Sequence, residues 1–275
     1  MRSVAVLPEL ISLPNEVMHH IGVRDLSKTF ETPMGSVEAL STVSFDIAVG
    51  EFVSIVGPSG CGKSTLLKIV AGLLPATTGS VTINGESVIK PFTDLGIVFQ
   101  RDLLLESRTA LDNVLLQVEM RGLNKDAYKE RGSELLERMG LGGFIDKYPW
   151  QLSGGMRQRV SICRALIHDP PLMLMDEPFG ALDALTREEI ALDLARLCER
   201  TKKTVLFITH SISEAVFLSD RVFVMTARPA RIAKEIAIEL PRPRRSEQQE
   251  ERLFARHTGE IRSLLFREEK RQERD

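Results

Sequence analysis

Cysteine is scarce in this chain. The 275 residues hold three, Cys61, Cys163 and Cys198. An odd set without metal-ligand spacing excludes a disulfide framework and fits a reducing compartment. Charge of one sign is missing too: 36 Lys and Arg face 38 Asp and Glu, for a net charge of −2. That balance gives no electrostatic footprint for nucleic acid. Long apolar runs are absent. No stretch nears the roughly 18 residues that span a bilayer, so any membrane role requires a separate partner. There is no heptad run and no internal repeat. The N-terminus, MRSVAVLPELISLPNEVMHH, carries one early arginine and an apolar run broken by Pro8, Glu9, Pro14 and Glu16. No small-residue cleavage site follows, so residues 1–20 read as an extension and not as a signal peptide. The expected location is cytoplasmic.

What is present is an ordinary globular composition, 43% apolar and 27% charged, in a chain long enough for one large domain or one with subdomains. Over residues 21–47 the pattern favours strands; Val43, Phe45 and Ile47 alternate with polar residues. Residues 51–56 form a short buried strand, followed by a glycine-rich loop and an apolar helix over 65–74. Residues 81–85 read as a strand ending in an Asn-Gly turn. From 110 to 140 the period becomes helical, broken at Gly122. After Ser153 comes another helix, then a buried strand at 172–175, a helix over about 186–200, and strands at 205–209 and 222–225. Strands alternating with helices predict a mainly parallel sheet covered on both faces. The all-helical block, about residues 101–160, reads as an inserted subdomain. Beyond Pro241, PRPRR reads as a basic, proline-broken linker within a last segment, 241–275. Leu253, Ile261, Leu264 and Leu265 then predict a tail helix docked on its own domain. Its final charges, REEKRQERD, are of both signs, which argues against a membrane surface.

Two segments carry chemistry directly. Gly57-Pro58-Ser59-Gly60-Cys61-Gly62-Lys63-Ser64-Thr65 fits G-x-x-x-x-G-K-[ST] between a predicted strand and a predicted helix, the context this motif requires. Glycines let backbone N–H groups turn inward as a nest for anionic oxygens, and the helix start adds its positive dipole end. Lys63 brings a point charge to the β- and γ-phosphates, and Ser64 a hydroxyl to Mg²⁺. Cys61, beside a helix N-terminus, is expected to have a lowered pKa. The second segment, Leu172-Met173-Leu174-Met175-Asp176-Glu177, is an apolar strand ending in two carboxylates. Neighbours on a strand point to opposite sides, so the two cannot share one task. Asp176 is assigned to the metal and Glu177 to the general base that activates water. A third segment, QLSGGMRQR at 151–159, places Ser153, Gly154 and Gly155 before a helical stripe of Met156, Val160, Cys163 and Ile167. That is a phosphate-holding helix N-terminus without a lysine. Two weaker signals are set aside: His19 and His20 lack a third metal partner, and Asn124-Lys125 has its aspartate one residue too early for guanine reading.

GPSGCGKST, LSGGMRQR, LMLMDEP, GALD and THSISEA occur in the order found in ATP-binding-cassette ATPases, and the chain resembles that family over about residues 21–239. FGALDALTREE and the later PRPRR are similar to ATPase subunits of bacterial importers for nitrate, sulfonate, taurine and related compounds. The resemblance implies an α/β P-loop NTPase with a mainly parallel sheet core, a small antiparallel β subdomain and an inserted α-helical subdomain, the ATPase domain spanning about 21–240. It implies that Phe30 stacks on adenine and that Gln100 touches the metal and the attacking water. It further implies that Asp183 lies in a loop communicating between subunits and that His210 contacts the γ-phosphate. The substrates and cofactors implied are ATP and Mg²⁺. The partners implied are a second copy, a transmembrane permease contacted by about residues 110–122, and indirectly a periplasmic or lipoprotein solute-binding protein. No nucleic acid is expected. The site would then sit at the cytoplasmic face of the inner membrane, with Ser153, Gly154, Gly155 and Asp183 reaching ATP held by the other copy. An exporter or lipid-extraction ATPase shares every one of these motifs, and a non-transport cassette is the remaining alternative.

Overall fold

The apolar stretches at 52–56, 172–176 and 204–208 become strands whose every residue is buried, as strands covered on both faces require. The structure, a computed structural model, describes residues 19–180 and 182–272. Residues 1–18 of the expected extension lie outside the described residues. His19 and His20 are not part of an extension: they open the first strand, and buried His20 hydrogen-bonds Thr204 through Nδ1 at 2.5 Å.

In chain order, β1 (His19–Thr32) and β2 (Gly35–Ala48) form a long hairpin, β3 (Phe52–Val56) leads into α1 (Lys63–Val70), and β4 (Thr78–Ile83) turns at Asn84-Gly85 into β5 (Glu86–Ser87). Next come β6 (Leu95–Val98), then α2 (Ala110–Met120), α3 (Lys125–Arg138) and α4 (Gly154–Leu166) in succession. The chain closes with β7 (Leu172–Asp176), α5 (Ala184–Thr201), β8 (Thr204–Ile208), α6 (Ile212–Leu218), β9 (Arg221–Met225), β10 (Ile232–Ala237) and α7 (Arg252–Gln272). Six strands order as β10-β9-β3-β8-β7-β6, all parallel except the β9–β10 edge pair. A separate antiparallel sheet orders as β2-β1-β4-β5. One apolar core lies between that sheet, α1 and one face of the six-stranded sheet. The other joins the opposite face to α2, α4, α5, α6 and α7. No described helix is long and apolar enough to cross a membrane.

Two local expectations change, and the set-aside Asn124-Lys125 pair finds a local role. The helix after the glycine loop starts at Lys63 and ends at Val70, because the carbonyls of Lys68 and Ile69 are taken by the turn at Gly72–Leu74. Asn124 and Lys125 are structural: Asn124 caps α3 by accepting from the Asp126 amide, and Lys125 pairs with Asp112 at 2.6 Å. The arginines after Pro241 are not a solvated linker. Arg242 donates to Asp220 Oδ1 at 2.7 Å and to the Leu218 carbonyl at 3.1 Å. Arg244, 3% exposed, donates to the carbonyls of Leu240 and Ser219 at 2.5 and 2.8 Å. Both guanidinium groups thereby cover carbonyls at the C-terminal end of α6. The tail helix follows and packs Phe254 and Ile261 into the main core.

Candidate functional site

The phosphate-loop segment leaves β3 and enters α1, at the C-terminal edge of the parallel sheet where such folds bind ligands. Gly62 is its tightest point. Its φ is +128°, and a Cβ there would sit 3.0 Å from the Ala39 carbonyl oxygen, so only glycine fits without displacement. Lys63 is 5% exposed and donates to the carbonyls of Gly57 and Pro58, both at 2.9 Å. These bonds curl the loop around the ammonium group. A cleft of about 450 Å³ opens over it, lined by Phe30, Val37, Ala39, Ser59, Gly60, Gly62, Lys63, Ser64, Thr65, Gln100, Glu177 and Arg228. Phe30 is half-buried at its mouth, with Lys28 Nζ 5.1 Å from the ring centroid.

The paired carboxylates separate as their positions demand. Asp176 ends β7 inside the sheet and accepts from Ser64 Oγ at 2.9 Å. Burial pushes its pKa up, and the Ser64 hydrogen bond opposes that shift. Glu177 leaves the strand with φ +44°, a costly conformation for a non-glycine residue, and its amide donates to the Ile208 carbonyl at 2.8 Å. That turn swings its carboxylate into the cleft. There Glu177 Oε2 accepts from Gln100 Nε2 at 3.3 Å and from His210 Nδ1 at 3.1 Å. Gln100 arrives from the end of β6 and His210 from the end of β8, the two strands flanking β7. Three adjacent strand ends thus deliver one cluster. The His210 turn is held from below: Thr209 Oγ1 donates to Glu214 Oε2 at 2.5 Å, and Arg187 of α5 lies 3.6 Å from Glu214. Hard oxygen donors on Asp176 and Ser64, with the Gln100 amide nearby, suit Mg²⁺, which favours carboxylates, waters and phosphate oxygens. Among the described residues no cluster of three or more His, Cys, Asp and Glu could hold a metal ion by itself.

Ser153, Gly154, Gly155 and Asp183 lie elsewhere; none of them lines this cleft. Ser153 caps α4, accepting from the Met156 amide at 3.3 Å. A Cβ at Gly155 would meet Thr186 Cγ2 at 3.1 Å, so this glycine allows α4 to press against the start of α5. Asp183 caps α5, accepting from the Thr186 amide at 3.0 Å, which holds its carboxyl below the usual range. Met156 packs half-buried on the main core, as its stripe predicts. Cys61 departs from expectation. Its thiol is 2% exposed, and burial pushes the pKa up despite nearby Lys63.

Sequence reasoning missed two sets of residues. Arg228 reaches the cleft from the turn after β9 and donates to the Gly60 carbonyl, and no pattern around it signals that reach. The α4 helix is also wired to the chain on both sides of Gln100. Arg157 Nε donates to Asp102 Oδ2 at 2.9 Å, Arg164 to the carbonyls of Asp102 and Leu103, and Gln158 to the Phe99 carbonyl. Such basic residues on a helix read as a solvated face until the partner loop is known.

A nucleotide-sized cleft over a phosphate loop, facing a carboxylate held by groups from the flanking strands, defines a P-loop nucleoside triphosphatase. Comparison narrows the class. The ABC transporter family matches residues 40–180. The taurine import ATP-binding protein TauB of Rhizobium johnstonii is 48% identical over 207 residues, 75% of this chain and 79% of that protein. The aliphatic sulfonates import ATP-binding protein SsuB of Bacillus cereus is 43% identical over 225 residues, 82% and 88% of the two chains. An uncharacterized ABC transporter ATP-binding protein of Methanocaldococcus jannaschii is 48% identical over 222 residues, 81% and 83%. Among solved structures, a dimeric ATP-binding cassette in a post-hydrolysis state with ADP and Pi superposes with a TM-score of 0.72 at 34% identity, covering 80% of this chain and all of that one. The chain belongs to the ABC transporter family: it is an ATP-binding cassette, an ATPase of the transport-coupled class.

Proposed function

We propose that this cassette energises an importer for taurine, another sulfonate, nitrate or a related small solute, working as a homodimer on the cytoplasmic face of a transmembrane permease. The supporting relatives are import ATP-binding proteins for taurine and aliphatic sulfonates, at 43–48% identity. The observation that carries the paired arrangement is the split of the site. Phe30, Lys63, Ser64, Gln100 and Glu177 line one cleft, whereas Ser153, Gly154, Gly155 and Asp183 sit outside it. A second copy, docked face to face, would bring its α4 N-terminus to the γ-phosphate, an anion placed where a helix start favours one.

Within each cleft, Phe30 stacks on adenine and the amides of Gly57, Ser59, Gly60, Cys61, Gly62, Lys63, Ser64 and Thr65 cradle the phosphates, with Pro58 shaping the same loop. Lys63 exchanges its loop carbonyls for phosphate oxygens. Ser64, Asp176 and Gln100 would hold Mg²⁺, which would supply positive charge against the phosphate oxygens. Glu177 takes a proton from water as its oxygen bonds to the γ-phosphorus and the β–γ bridging oxygen leaves with ADP. Gln100 and His210, which hydrogen-bond Glu177, orient that base and meet the γ-phosphate. Loss of the γ-phosphate removes the bridge between copies, so the dimer reopens.

The test is reconstitution of the cassette with its permease in liposomes, with a solute-binding protein outside. Solute-loaded binding protein should raise ATP hydrolysis and drive uptake. Hydrolysis that ignores the binding protein, or transport outward, would overturn the importer reading.

A further inference from the structure

We propose that Arg228 is a positioning residue for nucleotide binding, acting through the phosphate loop. The inference rests on the reading of the cleft as the ATP site. Arg228 stands 168 residues from Gly60, yet its Nε donates to the Gly60 carbonyl at 3.0 Å and a terminal nitrogen donates to the same oxygen. Gly60 has φ +71°, the left-handed geometry a phosphate nest uses to turn successive N–H groups inward. A nest holds N–H groups inward only while the intervening carbonyls stay turned outward. The Arg228 fork anchors one of them with a charge-assisted pair of bonds.

The arginine is itself carried on a rigid turn. The amide of Thr226 donates to the Arg231 carbonyl at 2.9 Å, and the amide of Arg231 donates to Thr226 Oγ1 at 3.0 Å. The same turn is bonded to the antiparallel sheet: Ala230 N donates to the Ala39 carbonyl at 3.0 Å, and Ser41 N to the Ala230 carbonyl at 2.9 Å. Ala39 lines the cleft beside Phe30 and its carbonyl presses on Gly62. One turn therefore sets the wall on the Phe30 side and the phosphate loop in a fixed relation, with Arg228 as its contact to the loop.

The loop grips the α- and β-phosphates, which ATP and ADP share. Loss of Arg228 should weaken both by one common factor. The experiment uses the full chain with Arg228→Ala, Arg228→Lys, Arg231→Ala and Lys63→Ala. Affinities for fluorescent ATP and ADP analogues, steady-state KM and kcat, and nucleotide-free melting temperature are measured on each. Arg228→Ala should raise both dissociation constants and KM about tenfold, the scale of one charged hydrogen-bonding group, with kcat within about twofold and an unchanged melting temperature. Arg228→Lys, keeping a cationic donor, should recover part of the loss, and Arg231→Ala should match the parent. Unaltered affinity in Arg228→Ala would overturn the proposal. So would loss for ATP alone, which would mean direct contact with the γ-phosphate, or a lower melting temperature with normal affinity, which would mean a scaffold role. Full affinity in Lys63→Ala would instead sink the reading of the cleft, separately from Arg228.

Discussion

Replacing Glu177 with glutamine isolates the chemical step. The carboxylate Oε2 accepts from both Gln100 and His210, and it reaches the cleft only because the backbone holds φ +44° at that position. Glutamine has the same shape, and its one acceptor oxygen can stand where Oε2 stands, so the turn survives and both bonds remain in weaker, uncharged form. What disappears is the ability to take a proton. A positioned general base contributes about 10²- to 10⁴-fold, so phosphate release should fall at least about 100-fold, or about 2.7 kcal/mol in the barrier. Folding should suffer far less: weakening those hydrogen bonds costs about 1 kcal/mol, a melting shift of a few degrees at most for a chain of this size. Nucleotide affinity should be untouched, because neither Lys63 nor the loop amides contact Glu177. Phosphate release under saturating ATP, fluorescent-nucleotide binding and a thermal melt on the same preparation separate the three quantities. The dimer gives a further readout: with hydrolysis blocked and ATP present, sedimentation should move from one copy to two. Turnover within about tenfold of the parent, with binding intact, would refute the base assignment.

Lys63→Ala should lose ATP affinity by more than tenfold, read by the same binding assay, because the loop loses both its central charge and the two carbonyl bonds that curl it. Met156→Gln should leave ATP hydrolysis within about twofold, since Met156 packs on the core and the Ser153 cap does not use its side chain; a large change in rate would contradict that. Cys61 in the folded protein should react with iodoacetamide at pH 8 at least about tenfold slower than in urea, since burial raises its pKa and limits access; equal rates would refute this. Asp169→Asn should destabilise by about 1 kcal/mol at pH 7 in urea titrations, because Lys203, 7% exposed, loses its 2.6 Å partner, the gain being limited by solvent at half-exposed Asp169. Lys203 holds the Asp169 carboxyl below the usual 3.8, so the paired form stabilises the fold above that value and the gain is lost as pH falls through the lowered one. The difference between parent and variant should therefore vanish in acid; a difference that persists at pH 2 would refute the assignment.

The strands at 52–56 and 172–176 were legible because a short apolar run that ends at a glycine loop or a pair of carboxylates is too brief for a buried helix and is bounded as a strand is. That Asp176 and Glu177 face different partners was legible, but for an incomplete reason. Alternation along a strand would place them on opposite faces, yet Glu177 is not in the strand. It reaches His210 because its φ turns positive one residue after β7 ends. Side-chain period carries no information about such a turn. The pKa of Cys61 was misread for a related reason: helix N-terminus and cation were visible in sequence, but the apolar cluster with Leu66 and Met225 that takes in Cys61 was not. In both cases the local rule was sound and the tertiary term exceeded it.

Charge runs were the least legible feature, and the reason bears on how the cassette is built. PRPRR and MRQR both look like solvated basic stretches when only their neighbours in sequence are known. In the fold, arginines of both regions reach backbone carbonyls distant along the chain. Arg244 covers the carbonyl of Ser219, and Arg159 that of Met139. Arginine suits this because its planar fork can satisfy two acceptors while its stem packs on apolar surface. The consequence differs with location. Arg242 and Arg244 fix the tail against the end of α6, which no proposed step disturbs. Arg157, Gln158 and Arg164 connect the helix that begins at Ser153 to the chain on both sides of Gln100. A displacement at the Gln100 end, where the γ-phosphate is proposed to act, is therefore carried to the helix proposed to face the other copy. That link runs through three side chains with discrete hydrogen-bond partners.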